Sequence, residues 1–346
     1  MPARGEKIRA LLATGRIANL PTVCSNVLAG FWLSSSLYPA CCLGSISQDK
    51  MIVPLLFLML SCCMIYLAGC MLGDAVDLQF DRKNRPSRPI PQGILTARSV
   101  RSASYVLFAL ALIILFFVTP VTALLNEYQV KLLSVRWTEA IQTHEIVFGL
   151  LLSGVVICYA FYHKKNKPAA LIMMGSCRFL LVILAMSFAH KNFLQIDPAA
   201  AAWPSPHPHW LASWMLIPAL GVGAYTILLS WVASTESRPG AFQSRNILTF
   251  LLLTVPASSL AIIFLMPITE PLQYISYAVA LILCYLWMCY GLKALKTSKP
   301  VFVSRALAGF CLLDATFLAP IEPMAAAICL LLFVVALALQ RVAPAT

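Results

Sequence analysis

Apolar residues come in long unbroken runs along this chain, separated by short polar connections. The runs cover about 18–44, 51–72, 103–125, 145–163, 169–189, 211–233, 246–267 and 272–293, with two shorter ones at about 302–319 and 322–340. A helix needs about 20 apolar residues to cross the hydrocarbon core of a bilayer. A helix also closes its backbone hydrogen bonds within itself, which lipid demands. The pattern therefore predicts an all-α, polytopic membrane helix bundle. The turn Ala319-Pro320-Ile321-Glu322-Pro323 divides the last two runs, and the count is nine or ten transmembrane helices according to whether both cross.

Composition supports lipid as the solvent. Of 346 residues, 60% are apolar and 11% charged, against about 45–50% and about 25% in ordinary soluble domains. The first sixteen residues hold Arg4, Lys7, Arg9 and Arg16 with no small-residue cleavage site after them. The expectation is a basic cytoplasmic segment, 1–16, and a single transmembrane domain, 17–341, with no removable signal peptide.

The net charge of +12 would suit nucleic acid only if it formed a patch, and here it is dispersed between the apolar runs. With the N-terminus placed in the cytoplasm and sides alternated, twenty Lys and Arg fall on the inner side. Only Lys50, Lys131, Arg136 and Lys191 fall outside, and Arg178 lies within a run. That bias predicts an inward N-terminus and no nucleic-acid partner. Two outer connections are longer: 126–144 reads as a helix at the membrane surface, and 191–210, ending Pro206-His207-Pro208-His209-Trp210, as irregular chain and a poor metal site. Cys62, Cys63, Cys158, Cys177, Cys284, Cys289, Cys311 and Cys329 lie in apolar runs, where a thiol acts as a small hydrophobe. None forms a zinc-type CxxC pair.

Chemistry concentrates after the second run. From Gly73 the chain reads Gly-Asp-Ala-Val-Asp-Leu-Gln-Phe-Asp-Arg-Lys-Asn-Arg-Pro-Ser-Arg-Pro-Ile-Pro-Gln-Gly. Asp74, Asp77 and Asp81 stand at i, i+3 and i+7, one face of a continued helix. Three carboxylates at a helix C-terminus repel one another and oppose the helix dipole, so a cation must compensate. Mg²⁺ fits, because it takes one or two carboxylates together with substrate phosphate oxygens. The basic turn that follows, stiffened by Pro86, Pro89 and Pro91, offers guanidinium groups to phosphate. The plainer alternative is a solvated loop in which the acids pair with Arg82, Lys83, Arg85 and Arg88.

These residues resemble the first motif of the UbiA superfamily of intramembrane prenyltransferases, Asn-Asp-x-x-Asp-x-x-x-Asp followed by Asn-Arg-Pro-x-Arg-Pro-Ile-Pro-x-Gly. Asp74, Asp77, Asp81 and Asn84–Gly93 match it. Arg16-Ile-Ala-Asn19, Tyr159-x-x-Tyr-His-Lys164-Lys165 and Gly175-x-x-Arg178 add weaker matches, so the likeness spans about 16–318. The resemblance implies helices around a central cavity open to the cytoplasm, where Mg²⁺ on two Asp-rich motifs holds a polyprenyl diphosphate. Ionisation would give an allylic cation that alkylates an aromatic or other small acceptor. It also implies metal ligands Asp74, Asp77 and Asp81, catalytic roles for Asp77, Asp81 and Glu236, and diphosphate contacts from Arg82, Arg85, Arg88, Lys164, Lys165 and Arg178.

Two positions depart from the motif. Gly73 replaces its leading Asn, and the second acidic motif, due near 234–245, is reduced to Ser234-Thr235-Glu236-Ser237-Arg238. That thin motif resembles the EboC-like branch of UbiA-related proteins and keeps open a non-catalytic carrier, or a role in export or biosynthesis of a small metabolite. Asp77 and Glu236 occupy corresponding loops on one side, an echo that is parallel rather than the inverted repeat of a secondary transporter. Inside the bilayer, Arg178 and Asp314 each need a partner or a cavity. Arg178 reads as a phosphate contact, and Asp314 as an ion pair or hydrogen bond to a neighbouring helix.

Overall fold

The computed structural model describes residues 4–35, 49–125, 144–196, 216–235, 245–265, 268 and 270–342, and every regular element among them is helical. A short helix α1 (Arg4–Thr14) leads through a 3₁₀ turn (Ile17–Asn19) into α2 (Leu20–Ser35). Then follow α3 (Asp49–Val76), α4 (Leu78–Asn84), α5 (Ala97–Leu125), α6 (His144–Tyr162) and α7 (Lys167–Ile196). The second half comprises α8 (Leu216–Ala233), α9 (Arg245–Ala257), α10 (Leu260–Leu265), α11 (Pro271–Ala294), α12 (Lys299–Leu318) and α13 (Pro323–Val342).

Nine segments among the described residues are long and apolar enough to cross a membrane, α9 and α10 together forming one of them. The first predicted run is represented by the 16 residues of α2. The last two runs are separate helices of 20 residues each, joined at Ala319–Glu322. The chain is an integral, multi-pass membrane protein. The expected surface helix at 126–144 lies outside the described residues except for His144, and the connection expected to be irregular over 191–210 is helical as far as Ile196, where α7 ends, the rest lying outside them.

The run predicted over 246–267 is broken. Pro256 lacks the N–H that would bond one turn back, and the chain tightens through Ser258 and Ser259 before α10 begins. Hydroxyls cover carbonyls at the break. Ser258 donates to Val255 O at 2.6 Å, Ser259 to Pro256 O at 2.6 Å and Tyr285 to Leu253 O at 3.0 Å. A broken helix is tolerated in lipid when its carbonyls are satisfied this way.

Two apolar cores lie side by side. One joins α8, α9, α11, α12 and α13, the other α3, α5 and α6, and both take residues from α2 and α7. Leu28, Ala29 and Leu33 of α2 face the first core, whereas Val23, Val27 and Phe31 face the second. The helices α2 and α7 are thus the seam, and a glycine sets their spacing. A Cβ on Gly30 would stand 2.5 Å from the Val182 carbonyl oxygen and 2.8 Å from Ala185 Cβ. Neither neighbour is a flexible side-chain end, so the helices would have to separate. Gly30→Ala is expected to cost about 1–3 kcal/mol, the usual range for an overpacked core. A matching fall in the detergent melting temperature checks it.

The candidate functional site at the acidic end of the third helix

The site begins where α3 ends. Asp77 leaves helical geometry (φ −80°, ψ 2°) and starts α4. The hydrogen-bond ladder nevertheless runs through, Asp77 N donating to Gly73 O and Asp81 N to Asp77 O, both at 2.9 Å. This continuity keeps Asp74 and Asp81 on a common side. Asp81 is buried, although its neighbours Arg82 and Lys83 are exposed.

The basic turn folds back over these acids because Ile90 is anchored. It is buried against Met71, Ala75 and Val100. Gln92 N donates to Arg88 O and Ile94 N to Pro89 O, each at 3.1 Å, and Gly93 closes the turn at φ 76°, a conformation glycine adopts without strain. The fold-back places one atom between two acids. Arg88 Nη1 donates to Asp74 Oδ1 at 2.9 Å and to Asp81 Oδ2 at 2.8 Å. Arg16 adds a second cation, with Nη2 3.6 Å from Asp74 Oδ1. It holds a left-handed backbone (φ 48°, ψ 49°), alone among the described non-glycine residues in having positive φ. Such strain in a non-glycine residue is often found at functional sites.

Asp77 takes different partners. Lys164 Nζ lies 2.6 Å from its Oδ1, and His163 Nε2 lies 3.3 Å from its Oδ2. Burial raises the Asp77 carboxyl pKa, but the hydrogen bonds and charges of His163 and Lys164 outweigh that and hold it below the usual value of 3.8. His163 itself is oriented by Nδ1 at 3.0 Å from Tyr159 O and by stacking on the Tyr159 ring. Lys164 also sits 3.8 Å over the Phe80 ring. The end of α6 is thereby tied to the junction of α3 and α4.

The structure therefore brings Asp74, Asp81 and Arg88 together, and sets Asp77 with Lys164 and His163 beside them. Arg82 is exposed on α4, Arg85 is half-buried, and neither makes an ion pair with a described residue. Lys165 is exposed and lies 4.5 Å over the Tyr162 ring. Glu236 lies outside the described residues, as does most of its loop. Two contributors carry little sequence signal: His163, one position before the basic pair, and Arg16, whose role depends on a turn that only the fold reveals.

Arg178 is placed deeper, on α7 within the bilayer. It donates from Nη1 to Asn26 Oδ1 at 2.6 Å and Thr22 O at 3.1 Å, and from Nη2 to Thr22 Oγ1 at 2.8 Å. Asn26 passes the interaction on, its Nδ2 lying 3.0 and 2.7 Å from the two carboxylate oxygens of Asp314. Ser25 Oγ donates to the same carboxylate at 2.5 Å. The ring of Phe310 lies 4.7 Å from the guanidinium carbon. Arg178 and Asp314 are opposite charges linked through the Asn26 amide, which unites α7, α2 and α12. The hydrogen-bonding face of Arg178 is turned to α2.

No group of three or more His, Cys, Asp or Glu side chains converges as a metal site among the described residues. Asp74 and Asp81 do converge on a single cation position, at present taken by Arg88 Nη1. A hard divalent ion that draws part of its shell from substrate phosphates needs only one or two such carboxylates. By that measure the donor set fits Mg²⁺, provided the guanidinium yields the position.

Residues 23–126 match the UbiA prenyltransferase family. The chain is 40% identical over 62 residues to the digeranylgeranylglyceryl phosphate synthase of Sulfolobus acidocaldarius, a stretch covering 18% of this chain and 22% of that protein. It spans about a fifth of the length of this curated relative. A solved structure concerned with digeranylgeranylglyceryl phosphate synthase in membranes superposes with a TM-score of 0.53 at 17% identity, over 91% of this chain and 98% of the other. The likeness shows the fold over 91% of this chain. The motif-bearing helices α2, α3 and α5 carry the sequence similarity.

Proposed function

We propose that this UbiA-type bundle is an integral membrane prenyltransferase, moving a prenyl group from a polyprenyl diphosphate to an aromatic or other small acceptor. The observation that carries the reading is the convergence of Asp74 and Asp81 on one cation position, with Asp77, Lys164 and His163 beside it. Asp74, Asp81 and Asp77 would hold Mg²⁺, which would supply a bridge to the diphosphate oxygens and stabilisation of the leaving group. Arg82 and Lys165, both exposed, and the half-buried Arg85 would neutralise the remaining charge. Lys164 and Arg88 join them by exchanging a carboxylate partner for a phosphate one. Glu236 stands in the loop where the family places its second acid set, and in this reading completes the site. The apolar bundle keeps water from the reacting carbon. Arg178 acts in this scheme through α2, holding the helix that follows directly on the turn of Arg16 and Asn19. The excess of Lys and Arg in the loops at this end supports a cytoplasmic position for it and for the N-terminus.

The carrier alternative, EboC-like in its thin second motif, has one observation in its favour: every acid of the first motif is already matched by a cation of the protein. Purified protein in detergent, given geranylgeranyl diphosphate, separates the two. Release of diphosphate that needs Mg²⁺, stops with EDTA and returns when Mg²⁺ is restored is expected of the transferase. Binding without turnover at any Mg²⁺ concentration would establish the carrier.

A further inference from the structure

Of twelve cysteines, eight read from the sequence as apolar filler, and for Cys62, Cys284, Cys311 and Cys329, all buried, the structure agrees. Two others are placed differently. Cys24 on α2 and Cys63 on α3 have their sulfur atoms 3.7 Å apart. Neither is sealed in. Cys24 is one of only three positions in α2, with Leu20 and Trp32, that are not buried, and Cys63 is half-buried as well.

We propose that Cys24 and Cys63 form a dithiol site that a lipid-soluble quinone oxidises to an intramolecular disulfide. A disulfide has its sulfurs about 2.05 Å apart, so the pair must close by a little under 2 Å. Side-chain rotation and a small approach of α2 to α3 provide this. The two helices are already registered nearby, where Asn19 Nδ2 donates to Tyr66 Oη at 3.0 Å, about one turn from the sulfurs. On its other side α2 is held against α7 at Gly30. The pairing is therefore between fixed neighbours.

The location selects the oxidant. Cys63, Tyr66, Cys70 and Asp74 follow one another along a single stripe of α3, spaced three or four residues apart. At 1.5 Å per residue the thiols lie about 16 Å along the helix from Asp74, within the hydrocarbon region. A charged or strongly hydrated oxidant is excluded from that depth, whereas a quinone partitions into it. The electrons balance. Both S–H bonds break, one S–S bond forms, and the two electrons and two protons released reduce the quinone to its hydroquinone. Joining α2 to α3 fixes the helix whose Thr22 and Asn26 hold Arg178, so oxidation reaches the bundle's central polar contact.

The site is independent of the reading as a transferase, and its test does not use turnover. The full chain in phosphatidylcholine vesicles is exposed to decylubiquinone, quenched with N-ethylmaleimide and digested without reductant. Mass spectrometry is expected to find a Cys24–Cys63 linked peptide that disappears after dithiothreitol. It should also be absent from Cys24→Ser and from Cys63→Ser, and unchanged in yield in Cys62→Ser. Recovery of Cys24 and Cys63 as maleimide adducts after quinone exposure would overturn the proposal. So would linked peptides in which Cys62 substitutes equally for Cys63, or in which the link joins two chains.

Discussion

Asp77→Asn combined with Asp81→Asn is expected to abolish prenyl transfer. Asparagine preserves the size of each side chain and much of its hydrogen bonding, and removes only the negative charge that a divalent ion requires. Loss of a single preorganised electrostatic contact commonly costs about 10²–10³ in rate, so the double variant should fall at least that far. The fold should survive. Asp77 keeps an acceptor for Lys164, whose Nζ lies 2.6 Å away, and Arg88 keeps Asp74 at 2.9 Å. A diphosphate-release assay on protein with a wild-type melting profile is the measurement. Turnover within tenfold of wild type would remove these carboxylates from the chemistry and with them the proposed mechanism.

Asp314→Ala is expected to be the most destabilising single change in the membrane interior. It would leave Ser25 and both Asn26 N–H contacts without their acceptor, and Arg178 without its counter-charge, at a position of 0% exposure. Breaking one side of a buried ion pair costs about 3–5 kcal/mol, mostly because the remaining charge stays buried. Asp314→Asn retains the volume and one acceptor and should lie between alanine and wild type. Thermal unfolding in detergent orders the three proteins. If alanine melts with wild type, the relay across α2 contributes little to stability and the bundle rests on apolar packing alone.

Both predictions concern residues already visible in the sequence, but to different degrees. The acids at 74, 77 and 81 stood out because their spacing and the proline-stiffened basic run after them are local features. A loop only needs to be read along its length. The common side of Asp74 and Asp81 follows from helical periodicity in the same way. Arg178 and Asp314 were conspicuous as charges in apolar runs, yet their coupling through Asn26 was not. The pairing joins positions 152 and 288 residues from Asn26. Nothing along the chain signals such distant partners.

The break at Pro256 and the thiol pair show the same boundary. Proline in a helical run marks a possible kink by itself, but the hydroxyls that satisfy the freed carbonyls come partly from Tyr285 on another helix. Cys63 looked like filler because its neighbours are apolar. Its contact with Cys24 exists only because α2 and α3 pack together.

The sequence alone determined the all-helical class, the membrane, the approximate span limits and the end of the bundle that carries the acidic and basic loop. Those properties depend on run length, composition and nearest-neighbour spacing. The tertiary structure decided which faces meet: Arg88 between Asp74 and Asp81, the end of α6 on Asp77, Arg178 on α2, and Cys24 beside Cys63. The physical reason is the solvent. In water a helix shows which side faces inward by being polar on the other. In lipid both sides are apolar, so the pattern that identifies a span says little about what it touches.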